Sequence, residues 1–188
     1  MARTVDMHDP TLVFWESNSL EDHVELIRAQ VTKSLHDPET ARLARAIVSG
    51  MPTIEAWGRT WRNPNPVRTG PEDDMCMINR VWNFYIANVN YVPDPDDFDL
   101  FCTVRKTLEA GVGDCDDSTI TLGALLKAVG FHCAARVIST DGKRWQHVYL
   151  MVSATRGGRR MISLDTTVKD AMPGWEYAKS RSVRDFAL

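Results

Sequence analysis

The sequence predicts an α+β protein in which N-terminal helices precede a cysteine-bearing helix packed on an antiparallel sheet. Apolar residues recur at helical spacing in the first half of the chain, whereas the second half has short alternating runs divided by Gly-containing turns. The length of 188 residues is close to one domain of about 150 residues. We therefore expect a single domain over residues 1–188, with a helical lobe over 1–90 and a lobe of one helix and antiparallel strands over 91–188.

The first lobe is predicted to begin with a short β-like run at residues 12–15 and two helices. Polar residues that favour N-caps precede a helical apolar stripe, which predicts a helix over about 20–35. An Asp-Pro-Glu sequence then predicts a second helix over about 38–49, and Gly50 supplies the left-handed stop that ends many helices.

Residues 51–71 are rich in Pro, Gly and Asn, so we expect a surface loop with little regular hydrogen bonding. Trp57 and Trp61 lie within this loop and are expected to pin it to the core. A third helix, buried in the core, is expected to begin near Glu72. Its apolar stripe comprises Met75, Ile78, Val81, Trp82, Tyr85, Ile86 and Val89.

The second lobe is predicted to contain one helix followed by an antiparallel meander. The helix covers residues 114–129, and the strands cover 131–139, 146–154 and 159–164. Gly142, after an Asp, marks the first reversal of the chain, and the pair Gly157 and Gly158 marks the second.

An acidic run at residues 94–99 resembles a calcium-binding loop at first sight. Asp99 stands where such a loop requires Gly, and Arg105 stands where it requires a bidentate Glu. We therefore expect a solvated turn there and no calcium site.

Charge and composition exclude several classes of protein. The chain has 22 Lys and Arg against 25 Asp and Glu, a formal net charge of −3, so it lacks the positive field that gathers nucleic acid. Its apolar runs are a few residues long, whereas a membrane-spanning helix needs about 20. The first residues lack the apolar stretch of a secretory signal, so we expect a cytoplasmic protein. The four cysteines form no Cys-x-x-Cys pair.

The most informative stretch is Gly-Asp-Cys-Asp-Asp at residues 113–117, where a Gly-rich turn enters a helix. Asp114 is placed to cap the helix, and Asp117 occupies the capping-box position three residues later. Cys115 then becomes the first helical residue. Its sulfur meets unpaired backbone N–H groups and the positive end of the helix dipole, which lower a thiol pKa.

The three aspartates around Cys115 act in the opposite direction, because negative charge disfavours a thiolate. A helix dipole stabilises an exposed charge by only about 0.3–1 kcal/mol. A reactive thiolate therefore needs a histidine beside it, whose charge attracts more strongly when partly buried.

Five histidines are available, and the sequence favours one of them. The candidates are His8, His23, His36, His132 and His147. The first three lie in the N-terminal tail, on a helix flank and in a turn, where we expect solvated roles, and the fourth follows a helix stop and is expected to face water. His147 begins a strand whose apolar residues alternate toward one face, so its ring points to the opposite face. If that opposite face packs on the helix of Cys115, imidazole and thiol can meet.

Turn geometry offers Asp165 as a group that orients the imidazole. If residues 156–158 form a three-residue hairpin loop, Tyr149 faces Asp165, and His147 is a diagonal neighbour of Asp165 on the same sheet face. A two-residue loop would place His147 and Asp165 on opposite faces. The alternative role of Asp165 is to cap a turn before the two threonines that follow it.

A cysteine at a helix start, a histidine on a following strand and an aspartate on the next strand form the nucleophile, base and orienter of a generalised triad. The chain resembles the transglutaminase-like superfamily over about residues 91–168, with upstream residues similar to a small branch carried by bacteria, phages and prophages. The matching segments are 113–117 (GDCDD), 124–131 (ALLKAVGF), 147–149 (HVY) and 164–167 (LDTT).

The resemblance implies a papain-like core and a thiol acyl-transfer enzyme that needs no cofactor or metal. Cys115 would attack an amide carbonyl, His147 would take its proton and pass it to the leaving amine, and Asp165 would fix the ring. Water would release the acyl group, whereas an amine would give a crosslink, and we expect a protease or amidase acting on protein or peptide.

One half of the oxyanion hole is expected from the Cys115 backbone N–H. Papain relatives place a Gln six residues before the cysteine, where this chain has Glu109, and Trp82 or Thr103 are the other candidates for the side-chain half.

Other functions stay open at this point. The chain can be a structural or binding module, of phage or prophage origin and then associated with the virion, that keeps the fold without turnover. A metal site built from Cys115, His147 and nearby acids is disfavoured, because the acids flank the cysteine at adjacent positions. An acetyl-CoA-dependent transferase would need a phosphate-binding loop, for which Gly111-x-Gly113 is too short. Membrane and nucleic-acid partners are not expected, and the sequence leaves the oligomeric state undetermined.

Overall fold

The computed structural model describes residues 12–15, 19–64, 73–94 and 99–188, with only the backbone of 12–15. The helices in these ranges are α1 (Leu20–His36), α2 (Pro38–Val48), α3 (Asp74–Asn88), α4 (Val104–Ala110) and α5 (Cys115–Ala128). The strands are β1 (Leu12–Trp15), β2 (Thr53–Ala56), β3 (Arg59–Arg62), β4 (Asn90–Tyr91), β5 (Asp99–Cys102), β6 (Val112–Gly113), β7 (Cys133–Ser139), β8 (His147–Ser153), β9 (Met161–Leu164) and β10 (Ser182–Ala187).

The predicted α+β class is confirmed. The first two predicted helices each begin directly after a residue whose side chain caps them. Ser19 accepts a hydrogen bond from the N–H of Asp22 at the start of α1. Asp37 caps α2 by accepting from the N–H of Glu39, with Pro38 in the first turn. Each cap satisfies an N–H that has no partner inside the helix.

The prediction of an irregular loop over residues 51–71 is wrong for its first part, where β2 and β3 form a hairpin. Ile54 and Trp61 are paired across the two strands and buried, at 2% and 8% exposure. Trp57 and Gly58 form the two-residue turn with φ of 46° and 71°, the conformation that matches the twist of a hairpin. The Pro and Asn content of the later part hid the alternation in the strands. Residues 65–72 lie outside the described ranges.

The two tryptophans hold this hairpin against α2, as predicted. Their rings pack edge to face with centroids 5.9 Å apart. Trp57 also donates from Nε1 to Oδ2 of Asp37 at 2.7 Å, so the residue that caps α2 also anchors the turn.

The main sheet has the strand order β10-β7-β8-β9, and all its neighbours are antiparallel. The β7-β8-β9 meander and its two reversals were predicted. The sequence did not predict β10, which returns from the end of the chain to pair with β7, nor the parallel pair of β4 and β6.

The core lies between α5 and the elements that surround it. Side chains of α1, α2 and α3 pack on α5 from one side, and one face of β7 and β8 packs on it from the other. A Cβ at Gly123 in α5 would lie 3.2 Å from Leu150 of β8, so helix and sheet are in close contact there. Within the described ranges, no helix has the length and apolar character needed to cross a membrane.

Candidate functional site

Cys115 is the first residue of α5, as the sequence predicted. Oδ1 of Asp114 accepts hydrogen bonds from the N–H groups of Asp116 at 2.9 Å and Asp117 at 3.2 Å, which is the expected N-cap. The expected capping-box role of Asp117 is wrong, because its Oδ1 accepts from the N–H of Cys102 at 2.9 Å instead. Asp117 therefore ties the start of α5 to β5.

Gly113 determines how closely the chain approaches the start of α5. A Cβ on this residue would lie 2.8 Å from Cβ of Asp117. Gly113 also pairs with Tyr91 in the parallel β4–β6 ladder. Only glycine fits between these neighbours, and the cysteine follows two residues later.

The thiol of Cys115 is half-buried, and its surroundings oppose ionisation. Burial and the negative charges of Asp116 and Asp114 raise the pKa of Cys115 well above its usual value. Hydrogen bonds from the backbone N–H groups of Val148 and of Cys115 itself lower this pKa, but by less. The resting thiol is therefore neutral, and the helix dipole does not outweigh the flanking acids.

His147 and Asp165 are in direct contact. His147 Nε2 lies 2.8 Å from Oδ2 of Asp165, whose side chain is almost fully buried. The β8–β9 register pairs Leu150 with Leu164, which is the parity that a three-residue loop predicted. The structure thus brings these two predicted site residues together.

Thr167 holds the second oxygen of this carboxylate. Its N–H and its hydroxyl donate to Oδ1 of Asp165 at 3.0 and 2.8 Å. Burial alone would raise the pKa of Asp165, but the hydrogen bonds and charge of His147, together with those from Thr167, hold it below its usual value. The carboxylate stays charged beside the ring.

The condition that the His147 face of β8 packs on α5 is not fulfilled. The face of β8 that packs on α5 carries Val148, Leu150 and Val152, so it is the face opposite His147. The ring packs instead beside Tyr149, with centroids 5.7 Å apart, over the other side of the sheet. The face with the three apolar residues packs in the core because burying apolar surface away from water is favourable.

The first turn of α5 lies close to the start of β8. His147 is the first residue of the strand, and the N–H of the next residue, Val148, donates to the sulfur of Cys115. The first turn of α5 thus meets the end of the strand, not its face.

Two exposed or half-exposed phenols flank the site. Burial, then the charges of Cys115, Asp114 and Asp165, raise the pKa of Tyr91. Burial and the charge of Asp165 raise the pKa of Tyr177, and its ring centroid lies 5.4 Å from that of His147. Sequence reasoning missed both residues.

A cleft of about 170 Å³ opens between α3 and the turn that precedes Cys115. Tyr91, Gly113 and Thr166 line it on the site's side, and Ile86 lines it from α3. Ile86 is 49% exposed, so its predicted place in the core is wrong. Gly113 in this lining lies two residues before Cys115.

His23 is the main residue that sequence analysis misjudged. Its expected solvated role is wrong, because Nε2 lies 2.8 Å from Oδ1 of buried Asp116 and Nδ1 lies 3.6 Å from Oδ2 of Asp99. Burial alone would lower the pKa of His23, but the charges and hydrogen bonds of the two aspartates raise it to about 10. The cation therefore compensates a carboxylate next to Cys115.

The other histidines within the described ranges match their predictions. His36 is exposed and bonds through Nδ1 to its own helix, and His132 is exposed. His8 lies outside the described residues. The acidic run is described only at its two ends, where Asp94 accepts from the N–H of Leu100 and Asp99 faces His23.

Asp114, Cys115 and Asp116 could each offer one metal ligand, and these atoms lie within 4.8 Å of one another. The carboxylates already have partners, since Asp114 caps α5 and Asp116 binds His23. His147, which the metal hypothesis required, is not part of this set in the described chain.

Burial raises the pKa of Asp117 to about 7, so this acid in the first turn of α5 is partly protonated at neutral pH.

The candidates for a side-chain oxyanion donor have other partners. The Glu109 carboxylate accepts from Nε of Arg105 at 2.9 Å. Thr103 caps α4, and Trp82 is buried in the core at 3% exposure. The backbone N–H of Cys115 remains as the expected donor.

The family model of the transglutaminase-like superfamily matches residues 64–165, more than half of the chain. The chain belongs to the transglutaminase-like superfamily. Enzymes that depend on a cysteine are common in this superfamily, and the match includes Cys115, His147 and Asp165. No curated protein and no solved structure matches the chain. Helices α1 and α2 precede the matched region of this transglutaminase-like chain, and His23 lies in α1.

Proposed function

We propose that the protein is a cysteine hydrolase of peptide or amide bonds, with Cys115 as nucleophile, His147 as general base and Asp165 as the group that orients the ring. The observation that carries this proposal is the 2.8 Å contact between His147 Nε2 and Asp165, beside a strand end whose N–H donates to the thiol. A charged carboxylate at Nε2 fixes the ring proton on that nitrogen. Nδ1 is then left to accept a proton.

In the proposed reaction, the proton leaves the thiol as the substrate is attacked. The Sγ–C bond of the thioester forms while His147 Nδ1 takes the thiol proton, and Asp165 stabilises the resulting imidazolium. That proton then moves to the amide nitrogen as the C–N bond breaks and the amine leaves. Water attacks the thioester with His147 as base, which releases the acid and restores the thiol.

The raised pKa of Cys115 favours this concerted transfer over a preformed thiolate–imidazolium pair. In the resting enzyme the thiol is neutral, and the base acts only once a carbonyl is bound. The backbone N–H of Cys115, at the N-terminus of α5, is the proposed donor to the oxyanion.

A second candidate is a binding module that keeps the fold without turnover. The raised pKa of Cys115 favours this candidate, because a half-buried thiol held neutral beside two carboxylates is a weak nucleophile. The two candidates differ in the role of His147, which takes the proton of the Cys115 thiol in the hydrolase and has no such role in the binding module.

Two measurements separate the candidates. The first is hydrolysis of a fluorogenic peptide library, with Cys115→Ala, His147→Ala and Asp165→Asn as test variants and His132→Ala as a matched control on the surface. We expect hydrolysis by the wild type and His132→Ala, loss of activity in the first two variants, and a lower kcat for Asp165→Asn, because a neutral amide no longer stabilises the imidazolium by its charge. Crosslinking of an added amine instead of hydrolysis would make the enzyme a transamidase.

The second measurement is the iodoacetamide alkylation rate of each cysteine, followed by peptide mass spectrometry. Cys102 and Cys133 are buried and serve as internal controls. The hydrolase requires that alkylation of Cys115 depend on His147, so His147→Ala should slow alkylation of Cys115 and leave that of Cys76 unchanged. Unchanged alkylation in His147→Ala, together with no hydrolysis, would leave only the binding module.

A further inference from the structure

Charge is unevenly distributed along the chain. Residues 140–188 contain nine Lys and Arg and five Asp and Glu, a net charge of +4, although the whole chain carries −3. The first 139 residues therefore carry −7. The positive segment includes the loop that leads into His147 and the segment that packs over its ring.

Four of these cations border the candidate site. Lys143 and Arg144 lie in the β7–β8 turn, four and three residues before His147, and are exposed. Lys179 and Arg181 follow Tyr177, whose ring packs on His147, and are also exposed. We call these four residues the basic rim.

The two halves of the basic rim are in contact. A Cβ at Gly142 in the β7–β8 turn would lie 3.6 Å from Cδ of Arg181, and the N–H of Arg181 donates to the carbonyl of Ser139 at 2.8 Å. The two segments therefore form one surface at the end of the sheet where His147 lies.

The acids near this surface are already engaged. Asp141 accepts from the N–H groups of Lys143 and Arg144, at 2.7 and 3.0 Å. Glu176 binds Arg136 at 2.9 Å. Four other cations of the positive segment bind acidic side chains or lie at the opposite end of the sheet.

Arg156 binds Asp74 and Arg184 binds Glu21, whereas Arg159 and Arg160 lie at the opposite end of β8. Within the described ranges, the basic rim forms no side-chain salt bridge. A cluster of exposed cations without compensating anions raises the local concentration of anionic ligands.

We propose that the basic rim binds acidic side chains of the substrate, so that the protein acts on acidic peptide segments. This inference rests on the proposed function for its catalytic meaning. Trp145 lies between Arg144 and His147 and is 38% exposed, so it offers an apolar surface beside the cations. The protein as a whole is negative and repels acidic peptides, whereas the positive charge of the basic rim attracts them locally.

The test measures binding without catalysis, so that its outcome is independent of turnover. Immobilised Cys115→Ala protein is exposed to an equimolar mixture of two randomised dodecapeptide libraries. One library contains Asp and Glu at four positions, and the other contains Asn and Gln there. Retained peptides are quantified by mass spectrometry at 50 and 300 mM NaCl.

We expect the acidic library to be retained about tenfold over the neutral one at low salt, and this preference to fall at high salt. Lys143→Glu with Arg144→Glu should abolish the preference. Arg159→Glu with Arg160→Glu is the matched control, since it makes the same charge change about 20 Å away, the length of seven residues of strand. This control should keep the preference.

Equal retention of the two libraries would overturn the inference, as would an equal loss of preference in the two charge-reversal variants. Neither result affects the proposed hydrolase, which fails instead if Cys115 and His147 variants leave peptide hydrolysis unchanged. A wild type that hydrolyses neutral peptides as fast as acidic ones would also count against the basic rim.

Discussion

His23 of α1 lies 2.8 Å from the carboxylate of Asp116, the residue that follows the candidate nucleophile in the first turn of α5. Asp116 is only 2% exposed, so a buried negative charge there needs a partner. The raised pKa of His23, about 10, keeps the imidazole charged at neutral pH. A residue outside the family match thus compensates charge beside the thiol.

Replacing His23 by Gln should destabilise the protein by about 1.5–3 kcal/mol, because a hydrogen bond to a buried charge is lost. Chemical unfolding at pH 7 measures the change. His36→Gln is the matched control on the same helix, since His36 is exposed and bonds only to its own backbone. Equal stabilities of the two variants would show that the contact with Asp116 contributes nothing.

The pH dependence of stability should reveal the same pair. The pKa of His23 rises from 6.5 to about 10 on folding, so its stabilisation is complete below pH 6.5 and is lost as the pH rises through 10. The difference in unfolding free energy between wild type and His23→Gln should therefore shrink over this range. A difference that stays constant from pH 6 to pH 10 would contradict the assignment.

Thr167 is expected to be a positioning residue for Asp165. Thr167→Val removes the hydroxyl bond to Oδ1 but keeps the side-chain shape, so the carboxylate and ring are held less firmly. We expect kcat to fall about tenfold, with KM little changed. In the wild type the Thr167 hydroxyl helps to hold down the pKa of Asp165, so its loss should raise that pKa. The acid limb of the kcat profile should therefore move to higher pH.

Thr167→Ser keeps the hydroxyl and should restore both kcat and the acid limb. Rescue by Ser is the control that a purely structural role would not require. A Val variant with wild-type kcat and an unshifted pH profile would remove Thr167 from the site.

Asp114→Asn should make Cys115 more reactive. Asn caps helices as well as Asp, so the bonds to the N–H groups of Asp116 and Asp117 remain. Burial and the neighbouring carboxylates raise the pKa of Asp114 to about 8, so the substitution removes a negative charge chiefly above that pH, where the thiol ionises. The pKa of the thiol should fall, and the pH midpoint of Cys115 alkylation should move down. Asp73→Asn is the matched control, because Asp73 caps α3 and is exposed.

Unfolding measurements on Asp114→Asn should show a change within about 0.5 kcal/mol, since the cap is retained. If the alkylation midpoint moves equally in Asp73→Asn, or does not move in Asp114→Asn, the flanking charge does not control the thiol.

Gly113→Ala should disturb the start of α5. The new Cβ would lie 2.8 Å from Cβ of Asp117, so the turn must shift at a cost of about 1–3 kcal/mol. Peptide hydrolysis should fall with it, because Cys115 lies two residues away. The control is Gly58→Ala, where φ is +71° but nothing lies within 4 Å of the new Cβ.

Gly58→Ala should also destabilise the protein, by about 1–2 kcal/mol, because an alanine is strained at positive φ. Its hydrolytic activity should stay unchanged, since the hairpin turn packs on α2. Equal losses of activity in both variants would mean that stability, and not the geometry of the turn, limits the reaction.

Local patterns predicted the elements whose signals are local. Caps, apolar stripes and turn residues placed the main helices and the β7-β8-β9 meander, and alternation along β8 put His147 and Val148 on opposite faces. The parity of the β8–β9 hairpin placed Asp165 near His147, because side-chain direction repeats every two residues. The hairpin of β2 and β3 was missed, since its short strands adjoin a segment rich in turn residues.

The sequence by itself determined a cysteine at a helix start and a histidine and an aspartate on neighbouring strands, because periodicity and register act over a few residues. Only the tertiary structure decided that the helix packs on the face of β8 opposite His147, that Tyr91 and Tyr177 flank the thiol, and that His23 compensates Asp116. These contacts join segments up to about a hundred residues apart, and their geometry follows from how buried faces fit together, which no local pattern encodes.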